Sequence, residues 1–178
     1  VQSLAFASIG RIQQLSVEKK LAALEDASGG RLGVYAINIQ NNERVEYHTQ
    51  DRFPMCSTMK VMGVAAILKA SMEDNQLLQK KIKYKKTDLV FWSPETKAHL
   101  GSGMTIFALC KAAITLSDST AINLLMKQLG GLKVVSSFAH SIGDNTSRFD
   151  RWESELNTAI PGDLRDTSTP EAMGKNIQ

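Results

Sequence analysis

Phe53-Pro54-Met55-Cys56-Ser57-Thr58-Met59-Lys60 leads into an apolar run at Val61, Val64, Ala65, Ile67 and Leu68. That run has the spacing and length of a buried helix. Pro54, with its fixed φ, suits the approach to a helix start, so Ser57 is predicted in the first turn and Lys60 one turn on. Side chains three apart share a helix face. A hydroxyl and an amine are then side by side at a helix N-terminus, where unpaired backbone N–H groups and the macrodipole favour developing negative charge. Such a setting activates a weak nucleophile. Ser-x-x-Lys by itself is a common string, equally consistent with a helix start followed by a solvated lysine, so the rest of the chain has to decide.

Upstream, Ile9, Ile12, Leu15, Leu21 and Leu24 recur at helical spacing from Ser8 to Ala27, and Ser28-Gly29-Gly30 supplies a stop. Arg31 to Ile39 then alternates and turns through Gln40-Asn41-Asn42-Glu43 into Arg44-Val45-Glu46-Tyr47, which predicts a β-hairpin. Downstream, a polar break at Glu73-Asp74-Asn75 and the basic run Lys80 to Lys86 precede Trp92, which the neighbouring Ser93-Pro94 turn leaves exposed. Thr105 is placed to cap a helix through Ile106, Leu109, Ala113 and Leu116. Helices are predicted from Thr120 to Leu129 and from Leu132 to Ile142, closed by Gly130-Gly131 and Gly143. From Thr146 the periodicity fails until Thr169-Pro170 opens a last helix, and so long an irregular stretch in a compact domain is usually functional.

The expected fold class is α+β: a helical domain plus an antiparallel sheet of which only the N-terminal hairpin is present. Two strands do not make a stable sheet under so many helices. More strands are expected beyond Gln178, and the chain reads as truncated at both ends.

At 178 residues, with 43% hydrophobic and 22% charged residues, the chain has the composition of one globular domain. A net charge of +3 is mild. The lysine run lacks aromatic platforms and reads as a solvated edge, not a nucleic-acid site. No stretch has the length of a membrane span. Residues 1–7, ending in a small-x-small triplet, read as the remnant of a signal peptide, which implies an exported protein, periplasmic or secreted. Cys56 and Cys110 are not expected to pair with each other. His48, His99 and His140 have no ligand spacing, so neither a metal site nor a cofactor is expected.

Three segments occur in register: Ser57-Thr58-Met59-Lys60, Ser117-Asp118-Ser119, and Arg151-Trp152-Glu153-Ser154-Glu155-Leu156-Asn157. In that order and spacing the chain resembles a class A serine β-lactamase, whose signature includes the Ser-x-x-Lys and Ser-Asp-Asn elements. The resemblance extends through Leu129-Gly130-Gly131, Ile142-Gly143-Asp144 and Ala159 to Thr167, and implies that residues 8–178 are the N-terminal part of such a catalytic domain. It implies Ser57 as the nucleophile attacking the lactam carbonyl, and Lys60 and Glu153 as candidates for the base that activates it. Ser117 would pass a proton to the leaving nitrogen. Glu153 and Asn157 would hold the deacylating water, Trp92 would stand at the site entrance, and Arg151 with Asp166 would close the neck of the loop. The implied partners are small-molecule β-lactams, bound by a protein that is monomeric at full length.

Two departures stand out. Ser119 replaces the usual Asn, which is expected to shift substrate preference without loss of acylation. No Lys-Thr-Gly or Lys-Ser-Gly follows the Glu153 loop; the family uses that element as the opposite wall of the cleft, so residues 1–178 alone are expected to be inactive. A penicillin-binding DD-peptidase shares Ser-x-x-Lys, and a β-lactam sensor is acylated without turnover; Glu153 and Asn157 favour the hydrolase over both. Cys56 matches a position that is disulfide-bonded in one subgroup, which includes carbapenem-hydrolysing enzymes, and unpaired in others.

Overall fold

The computed structural model describes residues 17–178. The proposed leader remnant at 1–7, and the start of the helix predicted from Ser8, therefore lie outside the described residues. Residues up to Phe53 form one compact unit together with Thr169–Gln178, and Pro54–Ser168 form a second.

In the first unit, helix α1 covers 17–28 and stops at Gly29, whose φ of +64° suits a residue without Cβ. Strands β1 (Val34–Ile37) and β2 (Arg44–Tyr47) pair antiparallel, Val34 opposite Tyr47 and Ile37 opposite Arg44. This is the hairpin expected from the alternation, with its turn where the two asparagines stand. Helix α7 (Pro170–Ile177) starts at Thr169, whose hydroxyl accepts from the Ala172 N–H at 3.2 Å. It lies against β1, and Gly174 leaves no room for a Cβ beneath the Tyr35 ring.

In the second unit, a single 3-10 turn, Cys56–Thr58, runs directly into α2 (Met59–Ser71). This helix is apolar on every side, which is the pattern of a central helix. Met59, Met62 and Ile67 are buried against α4 (Ile106–Thr115), α5 (Ser119–Leu129) and α6 (Leu132–Ser141). Val61, Leu68 and Met72 face outward. Burying each large aliphatic side chain contributes about 1.5–3 kcal/mol, so this helix carries much of the unit's stability. Thr105 caps α4 through its hydroxyl, which accepts from the Ala108 N–H at 3.1 Å, and Gly130 ends α5 at φ +101°.

The sheet content exceeds the predicted hairpin. Two-residue strands β3 (Phe53–Pro54), β4 (Lys81–Ile82), β5 (Met104–Thr105) and β6 (Thr167–Ser168) are present, with β4 and β5 antiparallel. The lysine run is an edge: Lys81, Lys83 and Lys85 are exposed, while Ile82 and Tyr84 point inward and the Tyr84 hydroxyl donates to the Thr96 carbonyl at 2.7 Å. Gly103 leads into β5 at φ +73°, and a Cβ there would sit 2.5 Å from the Ile82 carbonyl oxygen. Left-handed backbone costs an L residue about 1–2 kcal/mol, and here the clash is with backbone that cannot rotate away. Gly103→Ala is expected to lower stability by about 2–3 kcal/mol. For a chain of this size that is a fall of about 5–10 °C in Tm, readable by circular dichroism.

Cys56 and Cys110 are not bonded to each other. Among the described residues no helix is long and apolar enough to cross a membrane, and no cluster of three metal-ligating side chains occurs.

Candidate active site

Ser57 lies in the 3-10 turn that starts α2, just after Cys56 at φ +44°. Lys60, one turn on, is 2% exposed. Its Nζ stands 2.9 Å from Ser57 Oγ, 3.1 Å from Ser117 Oγ and 2.5 Å from Glu153 Oε1. An ammonium has three protons to donate, and each has an acceptor here. Ser117 Oγ in turn donates to Ser57 Oγ at 2.8 Å. The two hydroxyls, the amine and the carboxylate are thus one connected network, with Lys60 and Glu153 removed from water.

Glu153 belongs to the irregular stretch, yet it is held on every side. Its Oε2 accepts from Asn157 Nδ2 at 2.7 Å. Its peptide N–H donates to Asn123 Oδ1 at 3.1 Å, and its carbonyl accepts from Asn123 Nδ2 at 2.7 Å. Asn123 sits buried on α5 and was missed in the sequence, where one polar residue among apolar helical neighbours gives no sign of its partner. Glu155–Thr158 form a 3-10 turn that carries the Asn157 side chain back onto Glu153.

Ser117 is at φ +55° and is followed by Asp118, which is fully buried. Asp118 Oδ1 accepts from the Ala121 N–H at 2.8 Å, capping α5. Its Oδ2 accepts from the N–H groups of Glu95 at 3.0 Å and Thr96 at 2.9 Å, and the Thr96 hydroxyl donates to Oδ1 at 2.9 Å. Asp118 therefore joins α5 to α3 (Pro94–Ala98) and fixes the turn that presents Ser117. The N-cap preference of Asp is the sequence signal for this helix start. Ser119 is 5% exposed, and its N–H donates to the Trp92 carbonyl at 3.0 Å. Trp92 is 58% exposed at φ +63°, and its indole N–H donates to the Leu116 carbonyl at 2.9 Å. Leu89, Val90, Trp92, Ser93, Pro94 and Lys97 line a cleft there.

At the base of the long loop, Arg151 Nε donates to Asp166 Oδ2 at 2.6 Å, while Asp166 Oδ1 accepts from the N–H groups of Asp150 at 2.8 Å and Arg151 at 2.9 Å. The Arg165 guanidinium holds the Asp163 carboxyl down at about 2, and Arg148 lowers that of Asp150. Burial, with help from the Glu153 carboxylate, pushes the Cys56 thiol up against the opposing effect of Lys60. No buried side-chain polar atom among the described residues lacks a partner.

The model of the Beta-lactamase enzyme family matches residues 16–178. Beta-lactamase OXY-2 of Klebsiella oxytoca is 50% identical over 163 residues, which are 92% of this chain and 56% of that protein. Beta-lactamase Toho-1 of Escherichia coli is 49% identical over 166 residues, 93% of this chain and 57% of that protein. Among solved structures, the beta-lactamase from Desulfarculus baarsii superposes with a TM-score of 0.91 at 46% identity, covering 93% of this chain and 61% of the other. A variant of the last common ancestor of Gram-negative bacteria beta-lactamase class A gives a TM-score of 0.87 at 51% identity, covering 90% and 60%. The chain thus spans a little over half the length of the curated relatives it matches. A family match over nearly the whole chain, joined to these class A likenesses, shows that the chain belongs to the beta-lactamase enzyme family, in its class A branch.

Proposed function

We propose that the full-length protein hydrolyses β-lactams through an acyl-enzyme on Ser57. The observation that carries this reading is the three-way contact of the Lys60 ammonium with Ser57, Ser117 and Glu153. Passing one Nζ proton to Glu153 Oε1 leaves an amine lone pair that a turn about the Cε–Nζ bond aims at Ser57 Oγ. The amine takes the hydroxyl proton as Oγ attacks the lactam carbonyl, a division of labour between nucleophile and base that general base catalysis requires. The Ser57 N–H, at the helix start, is suited to receive the oxyanion. As the C–N bond breaks, the nitrogen takes a proton from Ser117, which Lys60 replenishes. Glu153 next returns its proton to the Lys60 amine, and a water held between Glu153 and Asn157 gives a proton to the restored carboxylate as it attacks the ester. That proton passes through Lys60 to the departing Ser57 Oγ, which becomes a hydroxyl again.

Time-resolved intact mass after mixing the full-length gene product with a penicillin tests this. The expected result is a transient adduct of one penicillin mass that is absent in Ser57→Ala. An adduct that persists in the native protein would favour a penicillin-binding peptidase or a sensor. No adduct would remove Ser57 as the nucleophile.

A further inference from the structure

We propose that Thr158 is a positioning residue for deacylation, acting by deciding where the free arm of Arg151 points; this rests on the function proposed above. The guanidinium has two jobs. Its Nε is committed to Asp166 at the neck, at 2.6 Å, while its Nη1 reaches across the loop and donates to Thr158 Oγ1, also at 2.6 Å. A competing acceptor is close by: Asp163 Oδ2 lies 4.0 Å from the same Nη1 and carries a full negative charge. A neutral hydroxyl holds the arm because Asp163 is already engaged by Arg165, at 2.7 Å from its Nη2 and 3.0 Å from its Nε.

The contact matters because of what Thr158 ends. The 3-10 turn Glu155–Thr158 carries Asn157, whose amide fixes the second oxygen of Glu153. The turn is tied to the neighbouring backbone by Leu156 N–H to the Trp152 carbonyl at 3.1 Å and Asn157 N–H to the Ser154 carbonyl at 3.2 Å, and Leu156 is buried as its anchor. Its far end then turns away at Ala159, φ +46°, and is otherwise exposed. Thr158 therefore clamps the exposed end of the turn to the same arginine that closes the neck. Loss of its hydroxyl frees the Arg151 arm toward Asp163, opens the last residues of the turn, and lets Asn157 drift from Glu153. The pair of Arg151 Nε with Asp166, Ser57 and Lys60 all stay in place, so acylation is spared.

The test compares Thr158→Val, which keeps the shape and removes the acceptor, with Thr158→Ser, which keeps the acceptor and removes the methyl. Formation and decay of the penicillin adduct on the full-length gene product are followed by intact mass, and amide exchange at Asn157 is read in the same proteins. In Thr158→Val, adduct formation is expected to stay within about two-fold while decay slows about ten-fold, inside the loss that an ångström of misplacement causes. Exchange at Asn157 quickens, and Thr158→Ser restores both. Native decay and native exchange in Thr158→Val would overturn the proposal, as would equal slowing in both variants, which would assign the effect to packing. If the native protein forms no adduct, the acyl-enzyme reading fails, and the exchange at Asn157 alone decides whether Thr158 holds the turn.

Discussion

Glu153→Gln is expected to trap the acyl-enzyme. Glutamine keeps the length and planarity of the side chain, so Asn157 and Asn123 still find their partners, but an amide cannot take a proton from water. Removing a general base of this kind costs about 10²–10⁴ in rate, which turns a fleeting adduct into one that lasts through a mass measurement. The same substitution strips Lys60 of its counter-charge. Both side chains are shut away from solvent, at 3% and 0% exposure, and leaving one member of a buried pair alone costs about 3–5 kcal/mol. Thermal melts should therefore fall alongside turnover. Adduct formation tests the proton transfer from Lys60 to Glu153 proposed above: slower formation in Glu153→Gln is expected where that transfer frees the amine, and a native rate would mean that Lys60 loses its proton elsewhere. Decay of the adduct at the native rate would contradict the role given to Glu153.

The second large effect concerns stability. Asp118→Ala is expected to destabilise the fold strongly, because the N–H groups of Thr96 and Ala121 and the Thr96 hydroxyl lose their acceptor in a fully buried place. Each orphaned donor costs about 1–3 kcal/mol, and a domain has only about 5–15 kcal/mol in all. A loss of about 4 kcal/mol or more is expected, with Tm lower by about 10 °C. Asp118→Asn, which keeps the shape but turns a nitrogen toward donors, should recover only part of it. A native melt for Asp118→Ala would mean that water replaces the carboxylate, contrary to its burial.

Much of this molecule was legible before any coordinates. Pro54, Ser57 and the apolar run located α2; Thr105, Thr169 and Gly130 marked helix ends through capping preferences that act within a few residues. The three segments in register brought Ser57, Lys60, Ser117 and Glu153 under consideration together. What stayed hidden was partnership at a distance. Nothing near Asn123 reveals that its amide will clamp a peptide thirty positions on, and nothing near Asp118 reveals Thr96. Strands of two residues, such as β4 and β5, are too short for an alternating pattern, so the sheet content was underestimated. Arg151 and Asp166 were paired through the resemblance; that the other arm of the guanidinium is taken by Thr158 has no local signature.

The contacts of Lys60 also bear on how the molecule assembles. They join positions 57 and 93 residues apart along the chain, and closing such loops costs entropy before any contact returns it. Lys60 cannot meet Ser117 until α2 and the α4–α5 turn have come together, nor Glu153 until the long loop has folded back. The group is thus completed only when distant segments have arrived, and, on the function proposed above, the appearance of reactivity toward an acylating probe would serve as a clock for the last stages of folding.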